Sequence, residues 1–157
     1  MAKFGVAVVG CGSIAHIAHF PSIQRTPEAE LIAVCDLNEK TANEAKEKFG
    51  AKRAYTDYKK MYEDSDDIDA VIIATPNNVH RNQACLAARA GLNVIVEKPL
   101  TVTADEAWDI VNECREHGVK LMVGCDRRFW THNQLSLIHI SEPTRRTPIS
   151  YAVFCLK

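Results

Sequence analysis

The chain has 157 residues, 46% hydrophobic and 25% charged, which suffices for one compact domain with a real core and falls short of two ordinary ones. A formal net charge of -1 and the lack of a clustered Lys/Arg stripe argue against nucleic acid or an anionic membrane as partner. The apolar runs are too short to span a bilayer, and the N-terminus shows no signal-peptide pattern, so the cytoplasm is the expected location.

Apolar and helical segments alternate along the chain. Phe4–Val9 is a short continuous apolar run, as a strand buried on both faces requires. Gly10–Ser13 reads as a turn and Ile14 onward as a helix that Pro21 should kink or end. Leu31–Cys35 is a second strand, followed by a helix over Lys40–Phe49 with Ala42, Ala45 and Phe49 on one side and Gly50 as its stop. Ala54 and Tyr55 suggest a short third strand, with a small helix over Tyr58–Met61. The acidic stretch Glu63–Asp69 reads as a solvated loop rather than a metal site. Val71–Ala74 is a fourth strand, Val79–Ala90 a helix stopped by Gly91, and Asn93–Val96 a fifth strand. Thr103 and Glu106 have the spacing of a capping box for a helix running to about His117, and Lys120–Val123 is a sixth strand. Six apolar strands separated mostly by helix-length segments predict an α/β fold: a doubly wound parallel sheet with helices on both faces.

The six cysteines are Cys11, Cys35, Cys85, Cys114, Cys125 and Cys155. No two have CxxC spacing, and several lie in apolar runs, so they read as reduced core thiols rather than zinc ligands. His16 and His19 are spaced i, i+3 on a helix, but no carboxylate or thiol is placed beside them in the sequence; they read as packing or cleft residues, and no metal is expected. Trp108, on the capped amphipathic helix, is expected in the core. Trp130 could shape a substrate side or be an exposed aromatic, and His132 lies outside every motif.

Gly10-Cys11-Gly12-Ser13-Ile14-Ala15 has the GxGxxA form of a dinucleotide turn, and it sits where the mechanism needs it, between a strand and a helix. Gly10 permits the tight turn, Gly12 lets the backbone approach a pyrophosphate, and Ala15 allows close helix–strand packing. Free N–H groups at Gly12, Ser13 and Ile14, with the helix dipole behind them, would hold the phosphates. Asp36 ends the second strand, where a carboxylate accepts from the adenosine ribose hydroxyls or caps the next helix. A 2′-phosphate would meet like charge there, and no arginine follows in Leu37-Asn38-Glu39, so NAD is expected in preference to NADP.

Strand four ends in Ala74-Thr75-Pro76-Asn77-Asn78-Val79-His80 and strand five in Val96-Glu97-Lys98-Pro99-Leu100. Ligands of a doubly wound sheet collect at the carboxyl ends of its strands. A lysine directly after a buried strand would stand in that cleft, where its ammonium could hydrogen-bond a substrate hydroxyl and stabilise negative charge developing on oxygen. These features together, Gly10 to Ala15, Asp36, Thr75-Pro76-Asn77 with His80, and Glu97-Lys98-Pro99, resemble the Gfo/Idh/MocA oxidoreductases over Lys3 to about Phe129.

The resemblance implies an N-terminal Rossmann domain for NAD(P) in a dehydrogenase of sugars, cyclitols or their derivatives, homo-oligomeric at full length. It implies that Thr75, Pro76, Asn77 and His80 line the cofactor side of the cleft, that Glu97 and Lys98 face the nicotinamide ribose and substrate, and that Lys98 is catalytic. It also implies a cis Lys98–Pro99 peptide. Arg127-Arg128-Phe129 is similar to the stretch leading into the family's second α/β domain, which carries an aspartate and a histidine that this chain does not reach. The domain is therefore expected over residues 1–134, with the substrate domain missing and the chain by itself inactive. Two other readings are open: a non-catalytic dinucleotide-binding redox regulator, and a methyltransferase with a similar glycine turn. Glu97-Lys98-Pro99 argues against the first, and its pairing with Thr75-Pro76-Asn77 against the second.

Residues 135–157 are expected to be a non-native tail. Leu135–Arg145 resembles the conceptual translation of a transposase-type sequencing adapter and Ile149–Lys157 that of its flow-cell end. Such a tail was never selected to pack, so few contacts to the sheet and an open cleft are expected.

Overall fold

The computed structural model describes residues 3–125. The expected tail at 135–157, the Arg127-Arg128-Phe129 stretch, Trp130, His132 and Cys155 lie outside the described residues. The strands are β1 (Phe4–Val9), β2 (Ala29–Cys35), β3 (Arg53–Tyr55), β4 (Ala70–Ile73), β5 (Asn93–Val96) and β6 (Leu121–Val123). Between them run α1 (Phe20–Arg25), α2 (Glu39–Phe49), α3 (Tyr58–Glu63), α4 (His80–Arg89) and α5 (Ala104–Glu116). All five strand pairings are parallel, in the order β3-β2-β1-β4-β5-β6. This is the Rossmann order, in which the chain returns to the middle of the sheet after β3 and opens a crevice beside β1.

Each strand is apolar on both sides because both faces are covered. On one face Val6, Val8, Leu31, Val34 and Ile72 pack with Phe20 and Ile23 of α1 and Ala45 of α2. On the other, Ala7, Val9, Val71, Ile73, Val94 and Val96 pack with Met61 and Tyr62 of α3, Ala84, Ala87 and Ala88 of α4, and Ile110 and Cys114 of α5. The alanines of α4 let that helix lie close on the sheet. No helix among the described residues is long and apolar enough to cross a membrane.

The helix ends follow local chemistry. Asn38 caps α2, its side chain accepting from the N–H groups of Lys40 and Thr41 at 3.0 and 3.3 Å. The cap of α2 is thus Asn38 and not Asp36, which is left for other bonds. Thr103 and Glu106 form the capping box of α5 as expected.

Three features depart from expectation. Pro21 neither ends nor breaks its helix. Ala15–His19 forms a π turn that runs directly into α1, and the Phe20 N–H reaches back five residues to the Ala15 carbonyl. The helix is continuous from Ser13 to Arg25, and the wider π turn just before Pro21 accommodates the missing N–H inside it. Trp108 is 58% exposed rather than in the core. The buried stripe of α5 runs through Ile110 and Cys114, and Trp108 falls outside it on the solvent side. The acidic stretch is also less free than a solvated loop. Asp64 and Asp67 pair with Arg53, and the Asp69 carboxylate accepts from the Gly5 N–H at 2.7 Å. Gly5 permits that approach, since a Cβ there would meet the Asp67 carbonyl oxygen. The β1–β2 register also shifts between Val6 and Ala7, which pair with Leu31 and Ala33 and leave Ile32 unmatched.

Candidate functional site

The carboxyl edge of the sheet is built by backbone bonds that each reach one residue past a strand. The Gly10 N–H donates to Cys35 O at 2.8 Å, Asp36 N–H to Tyr55 O at 3.1 Å, Ala74 N–H to Val9 O at 2.8 Å, Glu97 N–H to Ile73 O at 2.9 Å and Gly124 N–H to Val96 O at 2.7 Å. The residues singled out in the sequence therefore leave the sheet side by side from a fixed frame.

Gly10 has φ +93°, and a Cβ there would stand 2.7 Å from Ala74 O and 3.0 Å from the Thr75 methyl carbon. Both the backbone angle and the contact with the β4 loop require glycine. Gly12 is different: among the described residues a Cβ there would meet nothing within 4 Å. Its glycine character has no use in the protein's own packing, and the space beside it fits a ligand that approaches the backbone. Ser13 and Ile14 are exposed next to it, while Ala15 is fully buried against the strands. The residues present thus fit a pyrophosphate on this turn.

Asp36 stands across from the same turn. Its Oδ2 accepts from the Cys11 N–H and its Oδ1 from the Asn38 N–H, both at 2.9 Å. A carboxylate offers about four acceptor positions, so both oxygens keep capacity for ribose hydroxyls. Among the described residues no lysine or arginine pairs with Asp36. Cys11 and Cys35 lie beneath it. Burial first, then nearby carboxylates, push each thiol up to about 12, so neither is a nucleophile at neutral pH. With Cys85 and Cys114 they are buried and unbridged, whereas Cys125 is exposed.

On the other side of the turn lies the Thr75-Pro76-Asn77 loop. The Thr75 hydroxyl donates to Gln83 Oε1 at 2.6 Å. Pro76 is exposed and Asn77 half-buried at the start of a short 3₁₀ turn. His80 does not line the cleft as the resemblance implies. It is 1% exposed, with Nε2 2.8 Å from Thr75 O and Nδ1 3.1 and 3.2 Å from Leu100 O and Pro99 O. His80 is thus buried between the loop after β4 and the loop after β5, and its single N–H in the neutral ring donates to a carbonyl of one of them.

Lys98 is exposed directly after β5, and the Lys98–Pro99 peptide is cis. Among the described residues no carboxylate lies within ion-pair distance of its ammonium. Glu97 is turned the other way, toward His19, with 3.0 Å between Oε1 and Nε2. His19 therefore does have a carboxylate beside it, unlike the reading from sequence, while His16 packs edge-on against Phe20 and Phe49. The structure thus gathers Gly10, Gly12, Ser13, Ile14, Asp36, Thr75, Pro76, Asn77, Glu97 and Lys98 on one edge. Sequence reasoning missed Gln83, Gly124 and the His19–Glu97 pairing. The pair is 78 residues apart, and no local pattern announces it.

Comparison with known proteins places this geometry. Residues 4–125 match the Gfo/Idh/MocA pattern, described as an oxidoreductase family with an NAD-binding Rossmann fold. The chain is similar to the myo-inositol 2-dehydrogenase of Thermotoga maritima, 32% identical over 124 residues, covering 79% of this chain and 36% of that protein. It is similar to D-xylose 1-dehydrogenase (NADP(+)) 2 of Haloferax volcanii, 35% identical over 125 residues, covering 80% and 36% respectively. Among solved structures it resembles the WlbA dehydrogenase of Bordetella pertussis in complex with NADH and UDP-GlcNAcA. There the TM-score is 0.81 at 32% identity, covering 88% of this chain and 42% of the other. The chain thus spans 36% of the length of each of these two curated relatives.

Proposed function

The chain belongs to the Gfo/Idh/MocA oxidoreductase family, and from that premise we propose that residues 3–125 are the N-terminal nucleotide-binding portion of an NAD-dependent dehydrogenase acting on the CH–OH carbon of a sugar, cyclitol or sugar derivative. The observation that carries this reading is the open space at Gly12, between a helix start and the Asp36 carboxylate.

In this reading the backbone N–H groups around Gly12, Ser13 and Ile14 donate to the pyrophosphate, aided by the partial positive charge of the helix start. Asp36 accepts from the adenosine ribose hydroxyls while its existing bond to the Cys11 N–H keeps the glycine turn in place. Thr75, Pro76 and Asn77 form the wall over β4, with Thr75 oriented by Gln83. The nicotinamide supplies the hydride donor or acceptor when the cofactor is bound. Lys98 hydrogen-bonds the substrate oxygen whose charge changes in the reaction, and with no carboxylate paired to it among the described residues its ammonium is free for that task.

Asp36 also sets the preference for NAD over NADP, since a 2′-phosphate would face an uncompensated carboxylate. Calorimetric titration of the chain should therefore show tighter binding of NADH than of NADPH. Asp36→Ser should weaken NADH about tenfold through the lost charged acceptor and bring the two affinities close together. Equal or tighter NADPH binding by the unaltered chain would overturn the assignment of Asp36.

A further inference from the structure

The π turn at Ala15–His19 has a consequence at the far end of β5. In such a turn the helix carries one extra residue, and π turns recur at functional sites because they re-aim a side chain. Here the turn delivers His19 to Glu97. Nε2 stands 3.0 Å from Oε1, and the two side chains are only 15% and 14% exposed. The other carboxylate oxygen, Oε2, accepts from the Lys98 N–H at 3.1 Å. Gly124, the first residue past β6, completes the arrangement. A Cβ there would lie 3.2 Å from Glu97 Oε1 and 3.3 Å from Cδ, closer than a side chain readily tolerates.

One carboxylate thus joins three elements: the helix that follows the glycine turn, the end of β5 and the end of β6. Neither His19 nor Glu97 is needed for the hydrophobic core, since neither belongs to the apolar clusters on the two faces of the sheet. Their pairing holds the backbone of Lys98 through its N–H. The adenosine side of the site, at Asp36 on the end of β2, is built without them.

We propose that His19 is a positioning residue. Through Glu97 it fixes the Glu97–Lys98 segment, and so the half of the site over β4 and β5 where the nicotinamide riboside would lie. This rests on the reading of the strand edge as a dinucleotide site. His19 acts on that half alone and touches neither the pyrophosphate turn nor the adenosine ribose.

The test uses the 157-residue chain and two ligands, NADH and ADP, the latter carrying the adenosine and pyrophosphate but no nicotinamide riboside. His19→Ala should weaken NADH about tenfold, the scale of a lost hydrogen bond to a charged group, and leave ADP within about twofold of the unaltered chain. His19→Gln, whose amide can still donate to Glu97, should recover most of the loss. Glu97→Gln, which keeps the shape and removes the charge, should reproduce the loss for NADH and spare ADP, whatever the folding yield of His19→Ala. The proposal is overturned if His19→Ala and Glu97→Gln bind NADH as the unaltered chain does. It is equally overturned if they weaken ADP and NADH in parallel, or if His19→Gln fails to rescue. An unaltered chain that binds neither ligand would instead remove the dinucleotide reading on which the proposal stands.

Discussion

Replacing Lys98 with alanine in a full-length enzyme that carries this domain should lower turnover on the order of a hundredfold or more, with NAD(H) affinity nearly unchanged. Lys98 is exposed at the end of β5, its side chain free of any carboxylate among the described residues, and nothing in the core depends on it. An ammonium that strengthens its hydrogen bond only as charge develops on the substrate oxygen contributes to the transition state more than to the ground state. The loss should therefore fall on kcat with little change in the Michaelis constant. Steady-state kinetics with the native substrate reads this directly. Unaltered turnover would make Lys98 a surface residue with no part in the chemistry.

The two glycines of the turn should fail in opposite ways. At Gly10 a methyl group meets Ala74 O at 2.7 Å with the backbone at φ +93°. Left-handed strain and overpacking together should cost about 3 kcal/mol, lowering the melting temperature by roughly 10 °C. At Gly12 none of the described residues lies within 4 Å of the same methyl group. Gly12→Ala should keep its stability within about 0.5 kcal/mol, as surface substitutions do. It should nevertheless lose NADH binding, because the methyl stands where the pyrophosphate must approach. Thermal melts with and without NADH separate the two effects. A Gly12→Ala variant that binds NADH normally would place the phosphates elsewhere.

Much of this was legible in the sequence for physical reasons. A strand covered on both faces has to be apolar throughout, and all six strands were visible as short runs, with ends displaced by a residue or two. The glycine turn was legible because its constraint is local: positive φ at Gly10 and a bare backbone at Gly12 concern neighbouring residues. Capping of α5 was legible for the same reason, since Thr103 and Glu106 satisfy each other within one turn. What stayed hidden depends on partners brought together by the fold. The need for glycine at position 5 comes from a carbonyl at residue 67, and the tight fit of Gly124 from a carboxylate at residue 97. His80 looked like a cleft residue because of the motif around it. Its burial is set by carbonyls 19 and 20 residues further along the chain. The helix through Pro21 survives because a π turn precedes it, and no residue pattern marked that turn. Trp108 shows the limit of an amphipathic pattern: the helix was correct, but the face assigned to the largest side chain was not.

The central claim is that one edge of this sheet, from Asp36 across the glycine turn to Lys98, holds a nicotinamide dinucleotide. The most direct measurement is the amide chemical-shift map of the isotopically labelled chain titrated with NADH. The account predicts that the largest shifts fall at Gly10 to Ala15, Asp36 to Asn38, Thr75 and Asn77, and Glu97 to Lys98, with the groove between α4 and α5 unaffected. Shifts centred on that groove, around Arg81, Arg89, Asp109 and Glu113, or none at saturating NADH, would contradict it.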